Sequence, residues 1–225
     1  DRLVFREKKI SPETLEAALA ANYEGYEKER QMLLNQTPKY GNDDPLADGY
    51  MRRVLDAFLG ELGKYRSVRG GAFTGACSLL SGGVWWGQRT WAMPDGRFAG
   101  EPLAEAISPK QGLDRNGPTA YVKSAAKLPH IDIGNGDQLN IKFTKTVMQN
   151  PEGAAKIRAL IETYFKLGGM QVQFNVVSAD TLHDAQARPE EYKDLIVRIA
   201  GFSAAFVELA KNVQDDFIRR TEHMV

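Results

Sequence analysis

The sequence has little cysteine, no excess of charge of either sign and no long apolar run. Its 225 residues include one cysteine, Cys77, which excludes an internal disulfide framework and suits a reducing compartment. The 29 basic and 29 acidic residues balance, so nothing indicates a surface built for nucleic acid or anionic membrane. No apolar stretch approaches bilayer-spanning length, and the N-terminus lacks the basic-then-apolar character of a signal peptide. We therefore expect a cytoplasmic protein that binds neither nucleic acid nor membrane.

Patterns typical of metal and nucleotide sites are also missing. The histidines His130, His183 and His223 are far apart in the sequence. His183-Asp184 alone is a poor metal site, and solvated polar residues on a helix are expected there instead. Residues 69–97 are rich in glycine, but they contain neither Gly-Lys-Ser/Thr nor a GxGxxG pattern between a strand and a helix. Nucleotide binding is therefore not expected, and a strand and loop near a pocket is the prediction for this stretch.

What the sequence does have is an α/β pattern, with enough apolar residues (43%) to bury a sizeable core. Ser11-Pro12 predicts the start of one helix, and Asp43-Asp44 is expected to cap a second helix that starts at Pro45. Asn150-Pro151 predicts the start of a third helix, which should end at Gly168-Gly169.

The C-terminal third of the chain repeats strand and helix signals. Residues 170–177 alternate like a strand, Ser178 is placed to cap a short helix through Ala187, and residues 195–199 form the next strand-like run. This spacing predicts two parallel strands joined by a right-handed crossover, and a further helix is expected from Ser203 onward. Gly201 then lies just beyond the C-terminal end of a strand, where α/β proteins generally place their chemistry.

The pentapeptide Arg198-Ile199-Ala200-Gly201-Phe202 separates that strand from the expected helix. A glycine here can simply serve the turn. Alternatively, loss of a hydrogen atom from Cα leaves a radical that the amide nitrogen and the carbonyl group both delocalise. Delocalisation requires a planar Cα, and only glycine has no side chain to crowd that geometry. The pentapeptide alone leaves both interpretations open.

Several other blocks occur in the order typical of one family. In chain order they are PKYGNDDP (38–45), PDGR (94–97), AGEPLA (99–104), NGPTA (116–120), KSAAKL (123–128) and GGMQVQFNVV (168–177). Together with the loop 198–202, they resemble the glycyl radical enzymes. The resemblance is to the branch related to pyruvate formate-lyase, which includes diol and choline lyases, arylacetate decarboxylases and fumarate-adding synthases. By these blocks the chain is identified as a member of that family.

The resemblance implies a fold and a division of the chain. The family fold is a ten-stranded α/β barrel assembled from two five-stranded halves, with long outer helices, and this chain would supply much of the second half. Residues 1–97 would form a helical segment with a pocket-lining strand and loop, and residues 98–225 the C-terminal glycyl radical domain. Family enzymes are longer and carry a catalytic cysteine upstream, in a Gly-Cys-x-x-Pro-like setting. Cys77 lacks that setting and is expected to be a buried thiol that packs as a small apolar group. The chain thus looks like the C-terminal part of a split, cleaved or truncated enzyme.

The resemblance also implies a mechanism. A separate radical-SAM activating enzyme, with an iron–sulfur cluster, would generate a 5′-deoxyadenosyl radical that takes a hydrogen atom from Gly201. The radical would pass reversibly to the upstream cysteine, and the thiyl would attack a small organic substrate inside a barrel that excludes solvent. No cofactor need stay bound to this chain, oxygen should cleave the backbone at Gly201, and the complete enzyme is expected to be a homo-oligomer.

Two groups of residues are predicted to support this chemistry. Arg198 and Phe202 flank the glycine, with phenylalanine at a position where the family usually has tyrosine. Gln173 and Asn175 share one face of their strand and either order the radical loop or are plain strand residues with polar partners.

Trp85, Trp86 and Arg89 are the second group. They either line a substrate pocket or, in the case of the tryptophans, pack in the core. As pocket residues they would suit an apolar or aromatic substrate that carries a carboxylate.

Two functional classes follow from the resemblance. The first is the radical-bearing part of a lyase that cleaves a C–O, C–N or C–C bond, with a fumarate-adding synthase as a close variant. The second is a non-catalytic replacement subunit that restores an oxygen-cleaved enzyme. Replacement proteins resemble only the last stretch of the lyase, so the long segment before residue 98 favours the first class.

Overall fold

The computed structural model describes residues 1–79, 82–149, 151–199, 201–220 and 222–223. Asn150 and Ala200, which belong to the predicted helix start and to the pentapeptide, lie outside the described residues. The chain divides into two compact units: the first contains residues 1–38 and 82–103, and the second contains residues 39–81 and 104–225. The proposed division at residue 97 stays a prediction.

Helices account for most of the regular structure. The α-helices of the described residues are α1 (Pro12–Ala20), α2 (Glu27–Asn35), α3 (Pro45–Leu62), α4 (Gly82–Gly87), α5 (Gly117–Ala126), α6 (Lys145–Met148), α7 (Pro151–Lys166), α8 (Ala179–Ala187) and α9 (Lys211–Arg219). A π-helical turn at Arg2–Arg6 and short 3-10 turns at His130–Asp132, Pro189–Glu191 and Phe206–Glu208 complete them. No helix among the described residues is long and apolar enough to span a membrane.

The described strands form two small sheets in the second unit. They are β1 (Asn140–Phe143), β2 (Gln173–Val176), β3 (Ile196–Arg198), β4 (Ser203–Ala205) and β5 (Glu222–His223). Strand β1 lies between β2 and β5 and is parallel to both, whereas β3 and β4 form an antiparallel hairpin. The α/β class is therefore confirmed, and the described strands form no closed sheet.

The predicted helix caps are confirmed where the sequence placed them. Ser11 Oγ accepts a hydrogen bond from the Thr14 N–H at the start of α1, and Asp44 Oδ1 accepts from two N–H groups at the start of α3. Ser178 caps α8 by accepting from the Thr181 N–H. Asp43 has a different role from the predicted one: it contacts Lys127 at 2.6 Å instead of capping α3.

Each unit has its own apolar core. The core of the first unit consists of Leu3, Val4, Ile10, Ala18, Tyr23, Leu33 and Ala92. In the second unit one cluster surrounds β1 and contains Leu139, Ile141, Phe143, Tyr121, Val122, Ile157, Leu160 and Tyr164, among others. A separate cluster, made of Val177, Leu182, Ala185, Val197, Ile199, Phe206 and Phe217, packs beneath the β3–β4 hairpin. This last cluster fixes the position of the hairpin.

Three sequence-based predictions about secondary structure are wrong. Strand β3 does not pair with β2 in a parallel sheet, because its partner is β4. Residues from Ser203 onward begin as that strand, and α9 starts only at Lys211. The tryptophan pair lies on the short helix α4 rather than on a strand.

Two of the three histidines are buried, whereas His183 is exposed as expected. His130 and His223 are buried, and each contacts a buried carboxylate: His130 contacts Asp137, and His223 Nε2 lies 3.1 Å from Asp114 Oδ2. Buried imidazoles need such polar partners. Among the described residues, no group of three or more His, Cys, Asp or Glu side chains is arranged to hold a metal ion.

Candidate functional site

Gly201 lies in the turn of the β3–β4 hairpin. The strands pair Ile196 with Ala205 and Arg198 with Ser203, and the Ile199 N–H donates to the Phe202 carbonyl at 2.9 Å to close the turn. Side chains alternate along this segment, so that Val197 and Ile199 are buried in the core beneath it. The buried side chains anchor the hairpin, whereas Gly201 and Phe202 in its turn are exposed.

The backbone at Gly201 requires glycine for two reasons. Its φ angle is +84°, in the left-handed region that residues with a side chain rarely adopt. A Cβ atom at this position would lie 2.7 Å from Nε2 of Gln138, which is closer than real Cβ contacts. The Gln138 amide therefore packs directly against one side of the Gly201 Cα.

Asn175 attaches the hairpin to strand β2. Its Nδ2 donates to the Arg198 carbonyl at 2.7 Å, and the Arg198 N–H donates to its Oδ1 at 2.8 Å. Both main-chain polar groups of Arg198 are thus satisfied by one side chain. This arrangement explains why β3 is not paired with the backbone of β2.

Gln173 contacts the glycine itself. The Gly201 N–H donates to Gln173 Oε1 at 3.1 Å, and Arg198 Nε donates to the same oxygen at 3.3 Å. The Gln173 side-chain amide donates in turn to Oδ1 of Asn140 on β1. Because the Gln173 nitrogen is used by Asn140, its oxygen faces the loop.

The structure thus brings together four of the predicted site residues. Gln173, Asn175, Arg198 and Gly201 form one hydrogen-bonded group, and Phe202 follows the glycine with 44% of its surface exposed. The sequence reasoning missed Asn140, although the alternating pattern Leu-Asn-Ile-Lys-Phe at 139–143 could have predicted β1.

A small cavity of about 30 Å³, lined mostly by polar residues, borders this group in the second unit. Its lining residues are Glu105, Ser108, Pro109, Gln111, Asp114, Tyr121, Asn140, Ile141, Lys142, Asn175, Arg220 and His223. Burial raises the pKa of Glu105 to about 7, even though Arg220 Nη2 lies 2.8 Å from its Oε2 and lowers it. The charged cavity residues come from distant parts of the sequence, and no local motif could have grouped them.

Of the remaining predicted residues, Trp85, Trp86 and Arg89 belong to the first unit and Cys77 to the second. In the first unit, Trp85 and Trp86 are 58% and 63% exposed, so they do not pack in the core of that unit. Arg89 donates to the Trp85 carbonyl at 3.3 Å and lies 5.2 Å from the centre of the Trp85 ring. In the second unit, Cys77 is half-buried against the apolar cluster around β1, and burial raises the pKa of its thiol.

Comparison with known proteins finds similarity along almost the whole chain. A family model described as Glycine radical matches residues 103–207, and a second, described as Pyruvate formate lyase-like, matches residues 1–87. The chain is 42% identical to the trans-4-hydroxy-L-proline dehydratase of Clostridioides difficile, over 97% of this chain and 28% of that protein. It is 40% identical to the isethionate sulfite-lyase of Bilophila wadsworthia, over 99% of this chain and 27% of that protein.

The chain is also similar to a solved structure. The glycerol-bound form of the B12-independent glycerol dehydratase from Clostridium butyricum matches with a TM-score of 0.97 and 41% sequence identity. The match covers 100% of this chain and 28% of that chain. The chain therefore spans little more than a quarter of the length of these relatives.

Proposed function

Because the chain belongs to the glycyl radical enzyme family, we propose that Gly201 is the residue that stores the radical. The observation that carries this proposal is the geometry of the turn: a glycine with φ of +84° at the end of β3, held by Gln173 and packed against Gln138. The turn lies within the region that the Glycine radical model matches.

The proposed chemistry begins with activation by a second protein. A radical-SAM activating enzyme supplies a 5′-deoxyadenosyl radical, which takes one hydrogen atom from the Gly201 Cα and leaves as 5′-deoxyadenosine. The glycyl radical then takes a hydrogen atom from a cysteine thiol on an upstream portion of the enzyme, so that a thiyl radical forms and glycine is restored. Reversal of this step after turnover stores the radical again at Gly201.

The residues around Gly201 suit this role. Delocalisation of the radical requires a planar Cα, and the amide N–H of Gly201 is held by Gln173 Oε1 while Arg198 donates to the same oxygen. These contacts hold the Gly201 N–H in place beside the Cα. Asn175, Arg198 and Phe202 are proposed as further support for the loop.

We propose a lyase as the complete enzyme. The relatives carry the names dehydratase and sulfite-lyase, which denote removal of a leaving group from a small organic molecule. The reaction of this enzyme would be cleavage of a C–O, C–N or C–C bond inside a ten-stranded barrel to which this chain contributes. A fumarate-adding synthase is the variant that these names favour less. The complete enzyme would act in the cytoplasm as a homo-oligomer.

Residues Trp85, Trp86 and Arg89 are proposed to contact the substrate. Their exposure in the first unit leaves an apolar surface beside a guanidinium group. Such a surface suits an acid with an apolar or aromatic body.

The decisive experiment is electron paramagnetic resonance after anaerobic activation of the full-length protein. We expect a doublet signal in the wild type and none in Gly201→Ala. Gly100→Ala is the matched control, because Gly100 has a similar φ of +81° in the first unit and no described atom within 4 Å of a Cβ at that position. A doublet that persists in Gly201→Ala would place the radical elsewhere.

A replacement subunit is the competing proposal. The match of the Pyruvate formate lyase-like model to residues 1–87 favours an enzyme part instead, since replacement proteins resemble only the last stretch of the lyase. Purification from the native host distinguishes the two, because an enzyme part copurifies with, or is continuous with, an upstream portion that carries the catalytic cysteine. Copurification with an oxygen-cleaved lyase would instead support the replacement role.

A further inference from the structure

A chain of side-chain amides leads from Gly201 to the polar cavity. The Gly201 N–H donates to Gln173 Oε1, and the Gln173 side-chain NH₂ donates onward to Asn140 Oδ1. Each amide accepts on the side nearer to the glycine and donates on the far side. The Asn140 NH₂ is therefore the free end of the chain, and Asn140 lines the cavity.

Glu105 offers an acceptor at that free end. Both side chains line the cavity, and each residue is only 6% exposed. Asn140 Nδ2 and Glu105 Oε1 are buried, and neither has a hydrogen-bond partner among the described residues. The Asn140 amide also lowers the pKa of Glu105. A slight approach or one bridging water would satisfy both atoms.

We propose that Glu105 is a positioning residue for the radical loop, acting on the Gly201 N–H through Asn140 and Gln173. The inference rests on the proposed function, since it concerns the residue proposed to hold the radical. A carboxylate accepts hydrogen bonds more strongly than a neutral carboxyl group, and a chain of hydrogen bonds polarises along its length. The charged form of Glu105 therefore holds Gln173 Oε1 against the Gly201 N–H more firmly than the protonated form does.

The surroundings of Glu105 make both forms accessible near neutral pH. Burial raises the pKa of Glu105 to about 7, Arg220 and Asn140 lower it, and Asp216 raises it. Arg220 Nη2 lies 3.6 Å from Asp216 Oδ2, so the same guanidinium group pairs with the carboxylates of Glu105 and Asp216. The other titratable groups that line the cavity are Asp114, Tyr121, Lys142 and His223. The effect of Glu105 on the pH dependence of the radical loop must therefore be separated from the effects of these other groups by substitution of Glu105.

The test follows the radical itself in the full-length protein. The radical is generated anaerobically at about pH 8, the protein is transferred to buffers from about pH 6 to about pH 8.5, and the decay of the doublet is recorded. A loosely held loop exposes the radical to quenching, so we expect the wild-type signal to decay about fivefold faster at the acidic end. In Glu105→Gln, which keeps the size of the side chain without its charge, the rates at the two ends should agree within about twofold.

Two further variants separate positioning from general disturbance of the cavity. Asp216→Asn removes the other carboxylate that faces Arg220. It leaves the amide chain intact, because Asp216 accepts a hydrogen bond from Gln111 at 3.0 Å and not from Asn140 or Gln173. The decay should still depend on pH, with its midpoint at a lower pH than in the wild type, because Asp216 raises the pKa of Glu105. Asn140→Leu interrupts the chain between Glu105 and Gln173 and should lose the pH dependence, which also provides a test if Glu105→Gln fails to fold.

The outcomes of the two proposals are distinguishable. A wild-type decay rate that does not change with pH, or a Glu105→Gln or Asn140→Leu profile equal to that of the wild type, overturns the role of Glu105 and leaves Gly201 as the radical site. A wild-type protein without a doublet that depends on Gly201 overturns the proposed function, and this inference with it.

Discussion

Asn175 and Arg198 exchange two hydrogen bonds although their strands belong to different sheets, with distances of 2.7 Å and 2.8 Å. An amide side chain presents the same donor and acceptor as a peptide group, so Asn175 replaces the missing backbone partner of β3. The hairpin that carries Gly201 is therefore attached to β2 by the side chains of Asn175 and Gln173 rather than by a continuous ladder. Release of the hairpin would break few hydrogen bonds, which suits the proposed role of its turn as a loop that a separate activating enzyme reaches.

Substitution of Asn175 should loosen the hairpin selectively. In Asn175→Ala the main-chain N–H and carbonyl of Arg198 both lose their partner. We expect this loss to lower the free energy of local opening of the hairpin by about 2 kcal/mol. Hydrogen exchange of the amides in residues 196–205, measured by mass spectrometry, should accelerate by about thirtyfold. Val176→Thr, at the neighbouring position of β2, is the control and should leave this exchange unchanged. Equal exchange in Asn175→Ala and wild type would show that the buried side chains alone hold the hairpin.

The contact between Gly201 and Gln138 should be measurable as a coupling energy. Gly201→Ala is expected to lower the free energy of unfolding by about 1–2 kcal/mol because alanine is strained in the left-handed backbone conformation. A further loss is expected because the new Cβ meets Gln138. Gln138→Ala removes that contact, so the effect of Gly201→Ala should fall by about 0.5–1 kcal/mol in the Gln138→Ala background. Denaturant unfolding of the four proteins measures the cycle.

Gly100→Ala serves again as the control for the backbone cost alone. Its effect on the free energy of unfolding should be the same with and without Gln138→Ala, since no described atom lies within 4 Å of a Cβ at Gly100. Additive effects of Gly201→Ala and Gln138→Ala would contradict the predicted contact.

Structural features that depend on neighbouring residues could be predicted from the sequence, whereas features that depend on contacts between distant residues could not. The caps at Ser11, Asp44 and Ser178 were predictable because a hydroxyl or carboxylate before a helix acts on N–H groups only two or three residues away. The pairing of β3 was not predictable, because it depends on a side chain of β2 that takes the place of a backbone neighbour. The candidate site shows the same division: the pentapeptide and the other sequence blocks predicted Gly201, whereas Glu105 and Asn140 come to line one cavity only through tertiary structure.

The raised pKa of Glu105 predicts a pH dependence of stability. A carboxyl group whose folded pKa of about 7 exceeds the unfolded value of 4.5 binds more protons in the folded state between these two values. Its contribution to stability is therefore complete below about pH 4.5 and is lost as the pH rises to about 7. Glu105→Gln removes this loss.

Unfolding of both proteins by denaturant at several pH values measures the effect. The free energy of unfolding of Glu105→Gln relative to the wild type should increase by about 2–3 kcal/mol from about pH 5 to about pH 8. Asp56→Asn, an exposed carboxylate paired with Arg52 on α3, should show a difference that is nearly flat over this range. A flat difference for Glu105→Gln as well would mean that the carboxyl group has an ordinary pKa.

Arg89 should decide whether the tryptophan surface recognises acids. The guanidinium group lies 5.2 Å from the Trp85 ring centre, so an arylacetate could place its ring against Trp86 and its carboxylate on Arg89. Binding of phenylacetate to the full-length protein, followed by tryptophan fluorescence, should weaken about tenfold in Arg89→Ala, whereas binding of 2-phenylethanol should not change. Trp91→Phe, which removes a third exposed tryptophan, should alter neither.

The comparison of acid and alcohol separates recognition of charge from apolar contact. If Arg89→Ala weakens both ligands equally, the residue acts by supporting Trp85, to whose carbonyl it donates at 3.3 Å, and not by binding a carboxylate. If the wild type binds neither ligand, the exposed rings of Trp85 and Trp86 do not form the proposed pocket.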